Sequence, residues 1–223
     1  MLAAMDRAGI KRAIVWHVAQ RESCPAAGND RLAEAIAGEG RLVGCWSILP
    51  PQTGELAAPD EYFAAAAAAG VRAFRAMPGD HRYLLRSEAV GGLLERMVSA
   101  RRPLILPVAG DGDWPAVYGL MAEFPELTVI LAEMGCWGTD RYFRPLIERY
   151  ANVYVETSGY VLDGGIEAFV ADYGARQMLF GSGFPTHYHG PTMLAIAHAE
   201  IDPADRQAIA ADNLRRIVEE ART

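Results

Sequence analysis

Arg12-Ala-Ile-Val-Trp-His17, Val71-Arg-Ala-Phe-Arg75, Thr128-Val-Ile-Leu-Ala-Glu133 and Gln177-Met-Leu-Phe-Gly-Ser182 share one pattern: an apolar run, rich in β-branched residues, that stops at a polar side chain. Leu42-Val-Gly-Cys-Trp46 and Asn152-Val-Tyr-Val-Glu-Thr157 belong to the same series, and Pro103-Leu-Ile-Leu-Pro107 fits it but ends in proline. Each reads as a short strand. The runs start roughly 24 to 32 residues apart, the length of one strand plus one crossover helix. Repeated βα units build a parallel sheet, so the expected fold is α/β, a (β/α) barrel with seven recognisable units. Active sites of such barrels form at the C-terminal ends of the strands. The last residues of these runs are therefore the ones to question.

The connecting segments carry helix signals. Asn29-Asp30 is read as a cap for a helix that places Leu32, Ala35 and Ile36 on one face. Pro59-Asp60-Glu61 opens an acidic first turn before the run Ala64 to Ala69, and Gly70 stops it. Asp113-Trp114-Pro115 opens another helix, closed at Phe124-Pro125, and Asp163 and Gly174 bracket the next. The segment from Pro203 to Ala221 is amphipathic, with Ile209, Leu214 and Ile217 at helical spacing. Met1 to Ala8 reads as the tail of a helix feeding the strand at Arg12. An eight-stranded barrel would then lack its first strand and expose a seam. A seven-stranded closure, a second copy covering the seam, or a natural start further upstream would each meet that expectation.

Composition bounds the function. The 223 residues contain 51% hydrophobic and 22% charged side chains, which suits a single soluble domain spanning 1–223 with a large core. A net charge of −7 argues against nucleic acid and anionic membrane surfaces as partners and leaves a small-molecule substrate. Three cysteines, Cys24, Cys45 and Cys136, form no closed disulfide framework, so a reducing cytoplasm is expected. No segment has the make-up of a signal peptide, and no apolar run reaches the roughly 20 residues of a membrane span.

Gly70-Val-Arg-Ala-Phe-Arg75, Phe124-Pro-Glu-Leu-Thr-Val-Ile-Leu-Ala132, Asn152-Val-Tyr-Val-Glu-Thr-Ser158 and Leu179-Phe-Gly-Ser-Gly-Phe-Pro185, in this order and spacing, resemble the amidohydrolase-related (amidohydrolase 2) family of metal-dependent hydrolases and decarboxylases. The resemblance extends from Met5-Asp-Arg-Ala-Gly-Ile-Lys-Arg-Ala-Ile-Val15 to Asn213-Leu-Arg-Arg-Ile217. It implies a distorted TIM-type barrel with one or two divalent metals at its mouth. Implied ligands are a His-x-His pair on the first strand, histidines ending the fifth and sixth, and an aspartate ending the eighth. At the matching positions this chain has no first strand, Pro107, Ala132-Glu133-Met134-Gly135 and Gly181-Ser182-Gly183. Proline and glycine side chains bind no metal, whereas a catalytic zinc needs about three protein ligands. The expectation is an inherited barrel with a degenerate metal site and no cofactor. The resemblance also covers lactonases that need no metal.

Each strand-end residue carries a functional and a structural reading. Glu133 is a general base or acid, or else the partner of a mouth arginine, because an unpaired buried carboxylate is costly. Arg75 clamps a substrate carboxylate, or pairs with Glu133 or Glu156. Arg72 faces the opposite side of the strand. His17 closes the first run, and His187 and His189 follow in Thr186-His187-Tyr188-His189. That His-x-His spacing fits a relocated divalent metal with Glu133 or His17 as third ligand, a proton shuttle at His187, or a solvated loop. Ser158 and Ser182 can hydrogen-bond a substrate. A Ser182, His187, Glu133 triad lacks a nucleophile-elbow pattern. Cys45 and Cys136 read as small buried fillers. Trp16, Trp46, Trp114 and Trp137 wall a pocket or belong to the core.

Two functions follow. In the first, a hydrolase of lactonase or amidohydrolase type acts on a small polar or carboxylated substrate without the usual metal. Glu133, His17 and His187 are then catalytic, and Arg75, Trp46, Ser158, Ser182 and His189 bind substrate. In the second, an inactive barrel binds a ligand or fills a structural, oligomeric role. A homo-oligomer covering the seam at Arg12 is a separate expectation.

Overall fold

The computed structural model describes residues 1–108, 113–135 and 139–222. Cys136 and Trp137 lie outside the described residues. The chain divides into two compact units: Met1–Ile105 with Gly119–Leu127 and Ala221–Thr223, and Leu106–Tyr118 with Thr128–Glu220.

The first unit opens with α1 (Leu2–Ala8), closed by Gly9 at a φ of 69°, as a left-handed cap requires. Strands β1 (Ala13–Val15), β2 (Leu42–Ser47), β3 (Val71–Arg75) and β4 (Leu104–Pro107) alternate with helices α2 (Ala19–Glu22), α3 (Pro25–Ile36), α4 (Pro59–Ala68), α5 (Pro78–His81) and α6 (Ser87–Ala100). Neighbouring strands pair in parallel, Ala13 opposite Leu42, Ser47 opposite Arg75 and Phe74 opposite Leu104. The α4 helix follows the sequence: proline at its start, Asp60 and Glu61 in the first turn, and Gly70 after it. The α3 helix does not. It begins at Pro25, and Asn29 is a buried residue inside it rather than its cap. The reason is tertiary. Asn29 Oδ1 accepts from Ser47 N at 2.9 Å and from Gln20 Nε2 at 2.7 Å, and its Nδ2 donates to Ser47 O and Tyr62 Oη. One amide thus ties α3 and α4 to the end of β2.

Between β2, β3 and α4 the packing is aromatic: Trp46 lies 5.4 Å from Tyr62, and Phe63 lies 4.6 Å from Phe74. Trp46 and Phe74 are register partners, so they share the helix-facing side, while Ser47 and Arg75 share the other. Arg102 is buried over Phe63 and Phe74, and its Nε donates to Arg222 O at 3.1 Å.

In the second unit, β5 (Val129–Ala132), β6 (Val153–Glu156) and β7 (Met178–Leu179) are parallel, and Val108 N donates to Ala132 O beside them. The helices are α7 (Trp114–Glu123), which crosses into the first unit, α8 (Asp140–Arg149), α9 (Gly165–Tyr173), α10 (His189–His198), α11 (Pro203–Gln207) and α12 (Asn213–Glu220). Asp113 caps α7 through Ala116 N at 3.0 Å, as expected. A π-helical turn, Ala208–Asp212, joins α11 to α12, and buried Ile209 and Ile217 form the apolar stripe read from the sequence. The apolar run at Gln177–Ser182 keeps strand geometry only through Leu179. Past it, Phe180 N donates to Ile209 O, and Thr157 Oγ1 accepts from Gly181 N at 3.2 Å in place of a backbone ladder. Seven strands therefore stand where seven were expected, among the described residues.

Candidate functional site

At the strand ends of the first unit, β1 stops at Val15 and the chain turns directly into α2. Gln20 N donates to His17 O at 2.9 Å, and Ala19 N donates to His17 Nδ1 at 3.1 Å. With Nδ1 held as an acceptor, the proton of the neutral imidazole sits on Nε2. Trp16, immediately before it, lies under the Arg75 guanidinium, whose carbon is 4.6 Å from the ring centroid. Arg75 is 4% exposed at the end of β3. A buried guanidinium on an indole face is a planar cation beside a planar apolar surface, suited to a carboxylate attached to a flat ring. Cys45 is wholly buried, and burial pushes its thiol up to about 12, partly offset by the Arg75 charge. It is a filler here, not a nucleophile. Trp46 packs in the sheet–helix layer against Tyr62.

The strand ends of the second unit are organised by Glu156, which the sequence reading named only in passing. Its Oε1 accepts from Glu133 N at 2.7 Å and from Ser158 Oγ at 2.5 Å, and its Oε2 accepts from Ser158 N at 2.8 Å. Glu133 sits in the left-handed region, with a φ of 55°, a conformation that costs a non-glycine residue about 1 kcal/mol or more. The Glu156 bond to its backbone N–H holds it there. Gly181 completes the arrangement, because a Cβ at that position would fall on Glu156 Oε2 and 2.6 Å from Glu156 Cδ. Gly183, at a φ of 62°, faces His187 and Ser158: a Cβ there would lie 2.8 Å from His187 Cδ2 and 3.2 Å from Ser158 Cβ. The exposed His187 thus fills the space in front of residue 183.

Ser182 Oγ accepts from Phe184 N at 3.3 Å in a local turn. His189 is buried at the start of α10, its ring 4.5 Å from Tyr188 and 5.9 Å from Phe184. Trp114 is stacked on Tyr142 at 5.0 Å. The structure thus brings His17 near Trp16 and Arg75 in one unit, and Glu133, Ser158 and His187 around Glu156 and Gly183 in the other.

Within the second unit, Glu133, His187 and His189 do not form the relocated metal site expected of them with His17. Among the described residues, no three histidine, cysteine or carboxylate side chains gather as an ion would require. The physical reason is local: His17 Nδ1 is bound to a backbone N–H, and the His189 ring is buried among aromatics. The residues described do not fit a three-ligand divalent ion, so no step is routed through one.

Parallel βα units with their polar groups at the strand ends define a TIM-type (β/α)-barrel protein. The family model for amidohydrolase matches residues 2–219, and the chain belongs to that family. Solved structures agree on the fold. An uncharacterised TIM-barrel protein from Bordetella bronchiseptica superposes with a TM-score of 0.77 at 19% identity, covering 99% of this chain and 82% of its own. The 2,6-dihydroxybenzoate decarboxylase from Rhizobium gives 0.75 at 19% identity, covering 98% and 87%. The 5-carboxyvanillate decarboxylase from Novosphingobium aromaticivorans, complexed with manganese and 4-hydroxy-3-methoxy-5-nitrobenzoic acid, gives 0.77 at 16% identity, covering 98% and 79%. No curated protein matches the sequence significantly. Among the described residues no helix is long and apolar enough to cross a membrane.

Proposed function

We propose that this chain is an enzyme that binds a small, ring-bearing carboxylate through Arg75 and hydrolyses an ester or amide bond of that substrate. The observation that carries this reading is the Arg75 guanidinium, buried at the end of β3 and 4.6 Å over the Trp16 ring. A guanidinium binds a carboxylate with two parallel hydrogen bonds, and the indole offers a flat partner to the ring that bears it. His17 Nε2–H is the donor available to a carbonyl oxygen in this set, its Nδ1 being tied to Ala19 N. Glu133 and His187 are the acid–base candidates of the second unit, with Ser158, Ser182 and His189 as its polar contacts.

A second reading, loss of the carboxylate as carbon dioxide, is favoured by the neighbours named as decarboxylases of 2,6-dihydroxybenzoate and 5-carboxyvanillate. One assay separates the two. Purified protein is incubated with carboxylated aromatic lactones and amides and with hydroxybenzoates, while acid release and carbon dioxide release are followed in parallel. Acid release that falls about a hundredfold in Arg75→Met supports hydrolysis with an arginine anchor. Carbon dioxide release supports the second reading. Ligand binding without turnover supports an inactive binder. Turnover unaffected in Arg75→Met refutes the anchor.

A further inference from the structure

Ser47 is fully buried, and its Oγ has no hydrogen-bond partner among the described residues. Its backbone, by contrast, is held three times over. Asn29 Oδ1 accepts from Ser47 N at 2.9 Å, Asn29 Nδ2 donates to Ser47 O at 3.2 Å, and Tyr62 Oη donates to the same oxygen at 2.7 Å. The residue is fixed in place while its side chain is left unsatisfied. Buried hydroxyls almost always find a partner, so an orphan in so rigid a setting calls for a missing acceptor or donor.

Its position says what that group is. Ser47 is the last residue of β2 and the register partner of Arg75, the last residue of β3. In-register residues of adjacent parallel strands project to the same face, so the Ser47 and Arg75 side chains leave the sheet on the same side. Ile48 N donates to Arg75 O at 3.0 Å, which locks the two strand ends together just beyond the pair. The neighbouring Cys45, two residues earlier on the same face, offers a thiol that burial keeps protonated.

We infer that Ser47 Oγ is the second arm of the carboxylate subsite: it donates to a carboxylate oxygen while the Arg75 guanidinium holds the anion. This rests on the carboxylate reading above and adds to it a residue that no strand-end pattern singled out, since Ser47 lies one position past the apolar run. The subsite recognises the anion by charge from Arg75 and by a directed O–H from Ser47. Occupation of the subsite satisfies the orphan hydroxyl.

The test uses benzoate as probe with the full-length chain, comparing wild type, Ser47→Ala and Arg75→Met by titration calorimetry and thermal melting. Removing an unsatisfied buried hydroxyl leaves the empty fold as stable or more so. Removing a donor to a charged group costs binding. The expected result for Ser47→Ala is therefore an unchanged or raised thermal midpoint with benzoate bound on the order of tenfold more weakly. Equal benzoate affinity in wild type and Ser47→Ala, with Arg75→Met weakened, overturns the role of Ser47 and leaves the arginine anchor standing. A lowered midpoint in Ser47→Ala means the hydroxyl has a structural partner, such as an enclosed water, and also overturns it. Benzoate that no form binds overturns the anchor and the hydroxyl together.

Discussion

Gly181→Ala should dismantle the strand-end network of the second unit, and the size of the effect follows from its geometry. The new Cβ would fall on Glu156 Oε2 and stand 2.6 Å from Glu156 Cδ, so the carboxylate must leave. It takes with it the acceptor for Glu133 N and Ser158 N, now at 2.7 and 2.8 Å, and for Ser158 Oγ. The hydroxyl can rotate to another partner, whereas the two backbone donors cannot. Each costs about 1–3 kcal/mol when left unmade, and both are only partly buried, so the expected loss is about 2.5 kcal/mol. With a urea slope of about 3 kcal/mol/M, that is a midpoint shift of about 0.8 M. Glu156→Ala should cost the same, because the same donors lose the same acceptor. Adding Gly181→Ala to Glu156→Ala should cost almost nothing further, giving a coupling energy of about 2.5 kcal/mol in a double-mutant cycle read by circular dichroism. Additive losses, or a Gly181→Ala protein as stable as wild type, would refute the assignment of Gly181 to Glu156.

Other outcomes follow from the same structure. Asn29→Ala removes the acceptor of Ser47 N and one acceptor of Gln20 Nε2, which keeps Cys45 O at 3.0 Å, so a loss of about 2 to 3 kcal/mol is expected in the same urea assay; a loss below about 0.5 kcal/mol would contradict the tie between α3, α4 and β2. Burial pushes Cys45 up to about 12, so between roughly pH 9 and 12 the unfolded chain releases a proton that the folded chain keeps. Stability should then fall with rising pH by up to about 1.4 kcal/mol per pH unit more steeply in wild type than in Cys45→Ala, checked by urea midpoints from pH 8 to 11. Mass-spectrometric metal analysis should find well under one equivalent of divalent metal per chain, and a chelator should leave the thermal midpoint unchanged. A full equivalent whose removal lowers that midpoint would show a site the described residues do not form.

The parallel βα order was legible because it rests on periodicity. Each apolar run from Arg12 to Gln177 contains an observed strand, and the signals at Pro59, Asp113 and Gly174 mark the ends of real helices. Periodicity says nothing of tertiary hydrogen bonds, and there the reading failed. Asn29-Asp30 has the chemistry of a cap, yet the Asn29 amide satisfies three residues outside its own helix. Likewise the run through Ser182 loses its strand geometry after Leu179, because Ile209 O and Thr157 Oγ1 supply partners that no local pattern announces.

The strand-end groups divide along the same line. Arg75 and Glu133 were legible as polar residues closing apolar strands. What each does is governed by neighbours that are distant in sequence. The sequence reads Glu133 as a general base or acid and Glu156 as a strand-end carboxylate able to pair with Arg75. The structure makes them unlike: Glu156 has its oxygens committed to two N–H groups and a hydroxyl, and it is Glu156 that holds the Glu133 backbone at a φ of 55°. A carboxylate so bound holds the Glu133 backbone and the Ser158 turn in place. Ser47 shows the converse. Its hydroxyl was invisible in the sequence because serine after an apolar run is commonplace, and only its burial, its clamped backbone and its register with Arg75 single it out. In both cases what sets the residue apart is how the hydrogen bonds of buried groups are satisfied, a property that no spacing of residues along the chain encodes.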